Sequence, residues 1–405
     1  MKQTRINKAV VYLLYLLAFA SCLYMFEAIQ AITMSVAGFL LLLQYNSKKK
    51  LFTIKTLPFV LSFLLLLVYN VLYYNSRSIQ SISNSLLIFI VPVFSLFLYD
   101  SAFFLKNKDK ILLTYSFCIT LLSTYIVIFY INDIPNHHYN WYFARFNLEN
   151  NIHIHGTYIS LWIGIALLIL FDFFVKNQGI NSPFKFGLII LAFLLLASMI
   201  IINTRMILFS TLFLIALNSY FLLLKKEGRN KKIILLPLLV LFAAVIFLSQ
   251  RYRDDLRFLH KNKIENSTRY TICYCSFKVI KNSHLLGTDN SLIQPQLNEC
   301  YDEYGFQDLS KDNLNSHNQY LDYFMKGGIM LFIAFLMTFF VKIRYTLKNK
   351  NYLYFSISLL FAFSFLTENI LVRQYGIYIF LFCDILFLGS VLTNESHRTD
   401  KVEKY

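Results

Sequence analysis

Apolar runs of roughly 17 to 22 residues recur from one end of this chain to the other, each long enough to cross a hydrocarbon core of about 30 Å. Nothing else in the sequence restricts the fold so strongly. A backbone inside lipid has no water to bond with, so each run must satisfy its own peptide groups, and a continuous run does that as a helix. The runs place spans near 9–26, 28–45, 56–74, 82–99, 111–131, 156–175, 185–202, 206–224, 231–249, 320–341, 352–369 and 372–393. Composition agrees, with 57% hydrophobic residues and 15% charged, where a soluble domain carries about 25% charged. The expected class is an all-α polytopic membrane protein: one membrane domain over 1–405, with about 12 transmembrane helices and one long exterior loop, 250–318, between spans nine and ten.

Lysine and arginine set the orientation. They concentrate in the N-terminus, 46–55, 100–110, 176–185, 225–232, 342–351 and the C-terminal tail, which alternate along the chain. The short segments of the other set carry only Arg77, Arg145, Arg205, Lys326 and Arg373. Basic residues stay on the cytoplasmic side, so both termini are expected inside and the long loop outside. The net charge of +16 is then mostly topogenic, with anionic membrane lipids rather than nucleic acid as its partner. The apolar run after "MKQTRINKAV" continues past Cys22, which reads as an uncleaved first helix.

Two exterior segments are polar, 132–155 and 250–318. Within the second, Ile272, Cys273, Phe277 and Ile280 fall near one helical stripe opposite Arg269, Ser276 and Lys281. That spacing predicts a short amphipathic helix lying at the membrane interface. The remainder, 282–318, is rich in Asn, Asp, Gly and Ser and is expected to be irregular, covering the bundle or fringing a wet cavity. An oxidising exterior would permit a bond from Cys300 to either Cys273 or Cys275, although three free thiols fit the spacing as well. No cysteine spacing reads as a zinc site.

Chemistry-bearing residues gather on the expected outer face. Arg205 lies in a tight turn between spans, Arg269 opens the interfacial helix, and His317 and Asn318 precede a span. Glu368 and Arg373 flank the last hairpin. Each has a bland reading: Arg205 snorkels to headgroups, Glu368 pairs with Arg373, and Asn318 caps a helix. Together they suit a lipid diphosphate. Guanidinium groups grip phosphate oxygens in pairs and stay charged, while a neutral imidazole takes a proton from an attacking hydroxyl.

"NTRMILFSTLFLIAL", "STRYTICYCSFKVIKNSHLLGT" and "SHNQYLDYFMKGGIMLFIAFL", in that order, resemble the three signature segments of the O-antigen ligase and polymerase superfamily. The likeness implies a GT-C-like fold, with the long loop periplasmic and carrying short interfacial helices. It also implies metal-independent, inverting transfer of glycan from undecaprenyl diphosphate at the bacterial inner membrane. In the ligase branch the acceptor is the lipid A core. No cofactor is implied. By that resemblance Arg205 and Arg269 would hold the diphosphate, and His317 would orient or deprotonate the acceptor. Glu368, with Asn318 and Arg373, would support them. His155, His153 and Arg145, around "HIHGTYISLW", are candidates for contact with donor or acceptor glycan. The chain departs from the family pattern where Thr288-Asp289 follow Gly287, and where Gly327 and Gly328 stand adjacent.

Three alternatives stay open. A repeat-unit polymerase would share the chemistry with a different acceptor, and a flippase for lipid-linked glycan would hold diphosphate the same way. His153 and His155 with His137 and His138 would be the ligands if a metal were bound. Against transport, few glycines or prolines interrupt the spans. Asp384, deep in the last span, needs a partner or a wet cavity.

Overall fold

The structure is a computed structural model that describes residues 2–21, 27–44, 51–76, 78–137, 141–176, 182–224 and 268–393. Among these, regular structure is entirely helical. The first half contains α1 (Lys2–Ala20), α2 (Glu27–Leu42), α3 (Leu57–Leu72), α4 (Ser78–Asp100), α5 (Ala102–Asp133), α6 (Trp141–Ile152), α7 (Gly156–Lys176), α8 (Ser182–Ile202) and α9 (Arg205–Leu224). After the undescribed 225–267 come α10 (Thr268–Asn282), α11 (Asn290–Glu303), α12 (Gln307–Lys311), α13 (Gln319–Lys348), α14 (Tyr352–Ser364) and α15 (Gln374–Leu392).

Six described helices are long and apolar enough to cross a membrane: α4, α5, α7, α8, α13 and α15. Four shorter apolar helices, α2, α3, α9 and α14, coincide with further expected spans. The expected span 231–249 lies outside the described residues. α4 is not one regular helix. It passes from α through a π turn at Leu86–Ile90 and back to α, then ends in a 3-10 segment. Pro92 follows the π turn, and a proline, lacking an N–H, interrupts the regular bond ladder at that place.

α7 and α15 run through the centre, with Gly156–Leu170 and Gly376–Val391 buried. Apolar side chains such as Phe39, Leu64, Val68 and Phe193 are exposed on the rim, as lipid-facing residues are. Lipid is as apolar as leucine, so helix association here depends on close packing and interhelical polar bonds, each worth roughly 0.6 kcal/mol. Tyr115 donates to the Trp162 carbonyl (3.1 Å), Ser198 to the Ser123 carbonyl (3.0 Å) and Ser356 to Asn218 Oδ1 (2.9 Å).

The segment expected to be irregular is mostly helical. Asp289 caps α11 by accepting from Ser291 N (2.8 Å). Ile293, Leu297, Cys300 and Tyr301 recur at helical spacing and are buried. The polar composition concealed this period. α10 forms where expected, but its buried face is rotated from the stripe proposed. Thr271, Ile272, Cys275, Ser276, Val279 and Ile280 face inward, while Cys273 and Phe277 are exposed. The rotation follows from packing against α11. Ile272, Cys275, Val279 and Ile280 join Ile293, Leu297, Cys300, Tyr301 and Leu309, together with Leu321 and Met325 of α13, in a small core of their own. A Cys275–Cys300 disulfide joins α10 to α11, leaving Cys273 as a free, exposed thiol.

This polar subdomain is fastened to the bundle by backbone. α13 breaks at Gly327 and Gly328, the latter at φ 63°. The turn after α10 docks into the break. Ile329 N donates to Leu285 O (2.9 Å), Thr288 N to Met325 O (2.7 Å), and Tyr69 of α3 donates its hydroxyl to Thr288 O (3.0 Å). A Cβ on Gly328 would stand 2.3 Å from Leu285 O, and one on Gly287 2.2 Å from Lys326 O. Both glycines are also at positive φ, where side chains are strained. The adjacent glycines that depart from the family pattern thus serve this clasp.

Candidate functional site

α7, α9, α13 and α15 begin at the same end of the bundle where α8 and α14 finish. Several contacts join their tips there. Gln319 N donates to Phe365 O (2.9 Å), and Leu371 N donates to Gln319 Oε1 (2.8 Å). Trp162 Nε1 donates to Tyr375 O (3.4 Å), and Tyr158 donates its hydroxyl to Asn369 O (3.4 Å). Ile202 closes on Gly156 so tightly that a Cβ there would be 2.6 Å from its Cγ2.

His317 stands at this end in the left-handed region, φ 42°, uncommon for a side chain with a Cβ. A local turn holds it: its N–H donates to Asn315 Oδ1 (3.0 Å). Next to it, Asn318 caps α13 by accepting from Tyr320 N (3.0 Å) and Leu321 N (3.1 Å), and its Nδ2 donates to Leu366 O (3.2 Å). On the other side Ser316 Oγ pairs with the Asn369 side chain (3.3 Å). The histidine is therefore fixed by neighbours on both sides, which makes the unusual backbone tolerable.

Its ring Nδ1 lies 3.2 Å from Glu368 Oε2. The expected alternative, Glu368 paired with Arg373, is not what forms. Glu368 lies on the turn between α14 and α15 with its side chain 11% exposed, whereas His317 is 37% exposed. Burial pushes the Glu368 carboxyl up, but the hydrogen bond and charge of His317, the charge of His155 and the Asn369 N–H outweigh it, so the group is held below its ordinary value. An ionised carboxylate only accepts, so the Nδ1 proton belongs to His317, and in the neutral ring Nε2 is then the acceptor. Among the described residues Nε2 has no hydrogen-bond partner. A carboxylate-oriented imidazole with a free Nε2 can accept a proton from a hydroxyl placed against it.

The other candidates are placed as follows. His155 immediately precedes α7, accepts from Thr157 N through Nδ1 (3.4 Å) and lies within electrostatic reach of Glu368. His153 is exposed at φ 57° in the preceding turn. Arg145 pairs with Glu149 (2.9 Å), whose Oε1 also accepts from Gly156 N (3.0 Å). Arg145 thus braces the start of α7, a pairing that the i, i+4 spacing on α6 already offered. Arg205 is the first residue of α9, three residues beyond Ile202, and is half-buried. Arg373 occupies the position before α15 without a capping side-chain bond and is exposed, near enough to Tyr158 to share an electrostatic environment with Glu368. Arg269 is exposed at the first turn of α10 and makes no hydrogen bond or ion pair with a described residue. Among the described residues no three His, Cys, Asp or Glu side chains gather to hold a metal, and His138 lies outside them. Ser316, Gln319, Tyr158 and Asn369 were not anticipated, since each acts through contacts far along the chain.

Residues 190–336 match the family described as O-antigen ligase. This part of the chain is similar to the proteins of the O-antigen ligase superfamily. No curated protein matches. The O-antigen ligase segment runs from within α8 into α13, so it contains Arg205, Arg269, His317 and Asn318, while Glu368 lies beyond it. The match supports a membrane glycosyltransferase-like enzyme of the O-antigen ligase and polymerase type.

Proposed function

We propose that the protein is an O-antigen ligase, moving a glycan from undecaprenyl diphosphate onto the lipid A core at the periplasmic face of a bacterial inner membrane. The observation that carries this is the His317–Glu368 pair (3.2 Å), whose histidine lies inside the family segment. In this reading Glu368 holds the imidazole with Nε2 outward. Nε2 takes the proton of the acceptor hydroxyl as its oxygen attacks the anomeric carbon from the face opposite the diphosphate. The bond from that carbon to the phosphate oxygen breaks, its electron pair leaves with undecaprenyl diphosphate, and configuration inverts. Arg205 and Arg269 neutralise the departing charge. His155, His153 and Arg145 border the glycan, and Arg373 supports the His317–Glu368 pair.

The Cys275–Cys300 disulfide supports an exterior position for the polar subdomain, because such bonds persist in oxidising compartments. The basic residues concentrated in alternate short segments favour both termini in the cytoplasm.

Transfer is measured with purified lipid-linked donor and acceptor in detergent. His317→Ala is expected to lower the rate by roughly 100- to 10,000-fold while donor binding persists; unchanged yield would remove the mechanism. In cells, loss of a ligase leaves polymerised glycan on its lipid carrier. Single repeats on the lipid A core would instead assign the polymerase reaction.

A further inference from the structure

α13, α14 and α15 meet at both ends. At the site end they carry His317 ahead of α13 and Glu368 on the turn between α14 and α15. Toward the other end, Lys342 of α13 bonds Asp384 Oδ2 of α15 (2.6 Å), and Tyr354 of α14 donates to Asp384 Oδ1 (2.8 Å). Lys342 and Asp384 are 1% and 2% exposed. Phe380, Phe339 and Phe59 surround the ammonium, their ring centroids 4.1, 5.2 and 5.8 Å from Nζ. Each of the three helices supplies one polar group, both carboxylate oxygens are engaged, and the remaining faces of the ammonium meet aromatic rings.

We propose that Lys342, Asp384 and Tyr354 are positioning residues that fix the axial register of α13, α14 and α15, and through it the His317–Glu368 contact. Apolar helix surfaces in lipid have no hydrophobic force to choose one register. A buried ion pair adds little net stability over well-packed apolar side chains, but its directional bonds admit one alignment. Lys342 lies 14 residues beyond the Gly328 break, roughly 20 Å along the helix. A shift of the straight segment is transmitted along that length. Glu368 hangs on residues 365–373, a turn short enough to follow both of its helices. The effect on transfer rests on the function proposed above; the effect on register does not.

The test uses the full-length protein with S316C and N369C introduced together, since these side chains are 3.3 Å apart at the site end. The engineered pair is expected to form a disulfide readily. Y354F keeps the charges paired but releases α14, and D384N releases α13. Both are expected to lower crosslinking, and each, without the cysteines, to lower transfer on the order of 100-fold, as a misplacement of about 1 Å does. The exchange K342D with D384K is expected to recover both. Full crosslinking in folded Y354F or D384N, even with a reduced melting temperature, would overturn the proposal, as would an exchange variant that folds without recovery. An active H317A protein alongside reduced crosslinking in Y354F would sink the transfer mechanism and leave the register role standing.

Discussion

At the residue scale the decisive relation is a mostly buried carboxylate against a half-exposed imidazole. Neither residue alone says much. A histidine before a helix is commonplace, and Glu368 five positions from Arg373 invites a local pair. The pairing of Glu368 with a histidine 51 positions away is a tertiary fact. It also has a pH signature. Because the folded Glu368 is held below its ordinary 4.5, its contribution to stability is complete above that value and disappears as pH falls through the lower folded one. Glu368→Gln is therefore expected to lower the melting temperature of the purified protein above pH 4.5, with the difference closing in more acidic buffer. A charge-assisted bond of this kind is worth roughly 1.5 kcal/mol. The same variant should lower transfer by about tenfold or more through loss of the fixed ring tautomer; a wild-type rate would show that the carboxylate does not orient the ring. At Arg269 the expected loss on Arg269→Lys is also about tenfold, since lysine keeps the charge but not the paired geometry.

At the element scale the polar subdomain depends on two fastenings of different kinds. One is covalent, Cys275–Cys300 between α10 and α11. Replacing both cysteines by serine is expected to cost about 2–5 kcal/mol of the subdomain's stability, visible as faster proteolysis within 268–311. The other is the glycine clasp. Gly328→Ala adds a Cβ at 2.3 Å from Leu285 O on a backbone already at φ 63°. Both faults act on rigid main chain, so a loss of about 3 kcal/mol is expected, at the upper end for point substitutions. Hydrogen exchange at Thr288 and Ile329 would report it, because both amides bond across the clasp. Protection equal to the parent would show that the break in α13 can open without releasing the turn.

At the scale of the whole molecule the question is which side of the membrane the site occupies. Cys273 is a natural probe, a free thiol exposed on α10. A maleimide that cannot cross membranes, applied to spheroplasts, is expected to label the protein, and Cys273→Ser to abolish that labelling. Burial pushes this thiol up, so labelling should quicken as the medium is made more alkaline. Labelling only after lysis would place the polar subdomain in the cytoplasm and remove the periplasmic mechanism with it.

The helical character, the approximate positions of the described membrane helices and the order of candidate residues were legible in the sequence, because lipid imposes one local rule on every span. Asn318 as a helix cap was equally legible, being local. The helices within 282–318 escaped because polar composition masked the period of Ile293, Leu297 and Tyr301. The partner of Glu368, the choice of Cys275 over Cys273, and the Lys342–Asp384–Tyr354 junction were decided only when helices distant in sequence packed side by side. Hydropathy acts on each segment separately and is blind to rotation and register. Those are set by side chains meeting across helices, and only the folded chain brings them together.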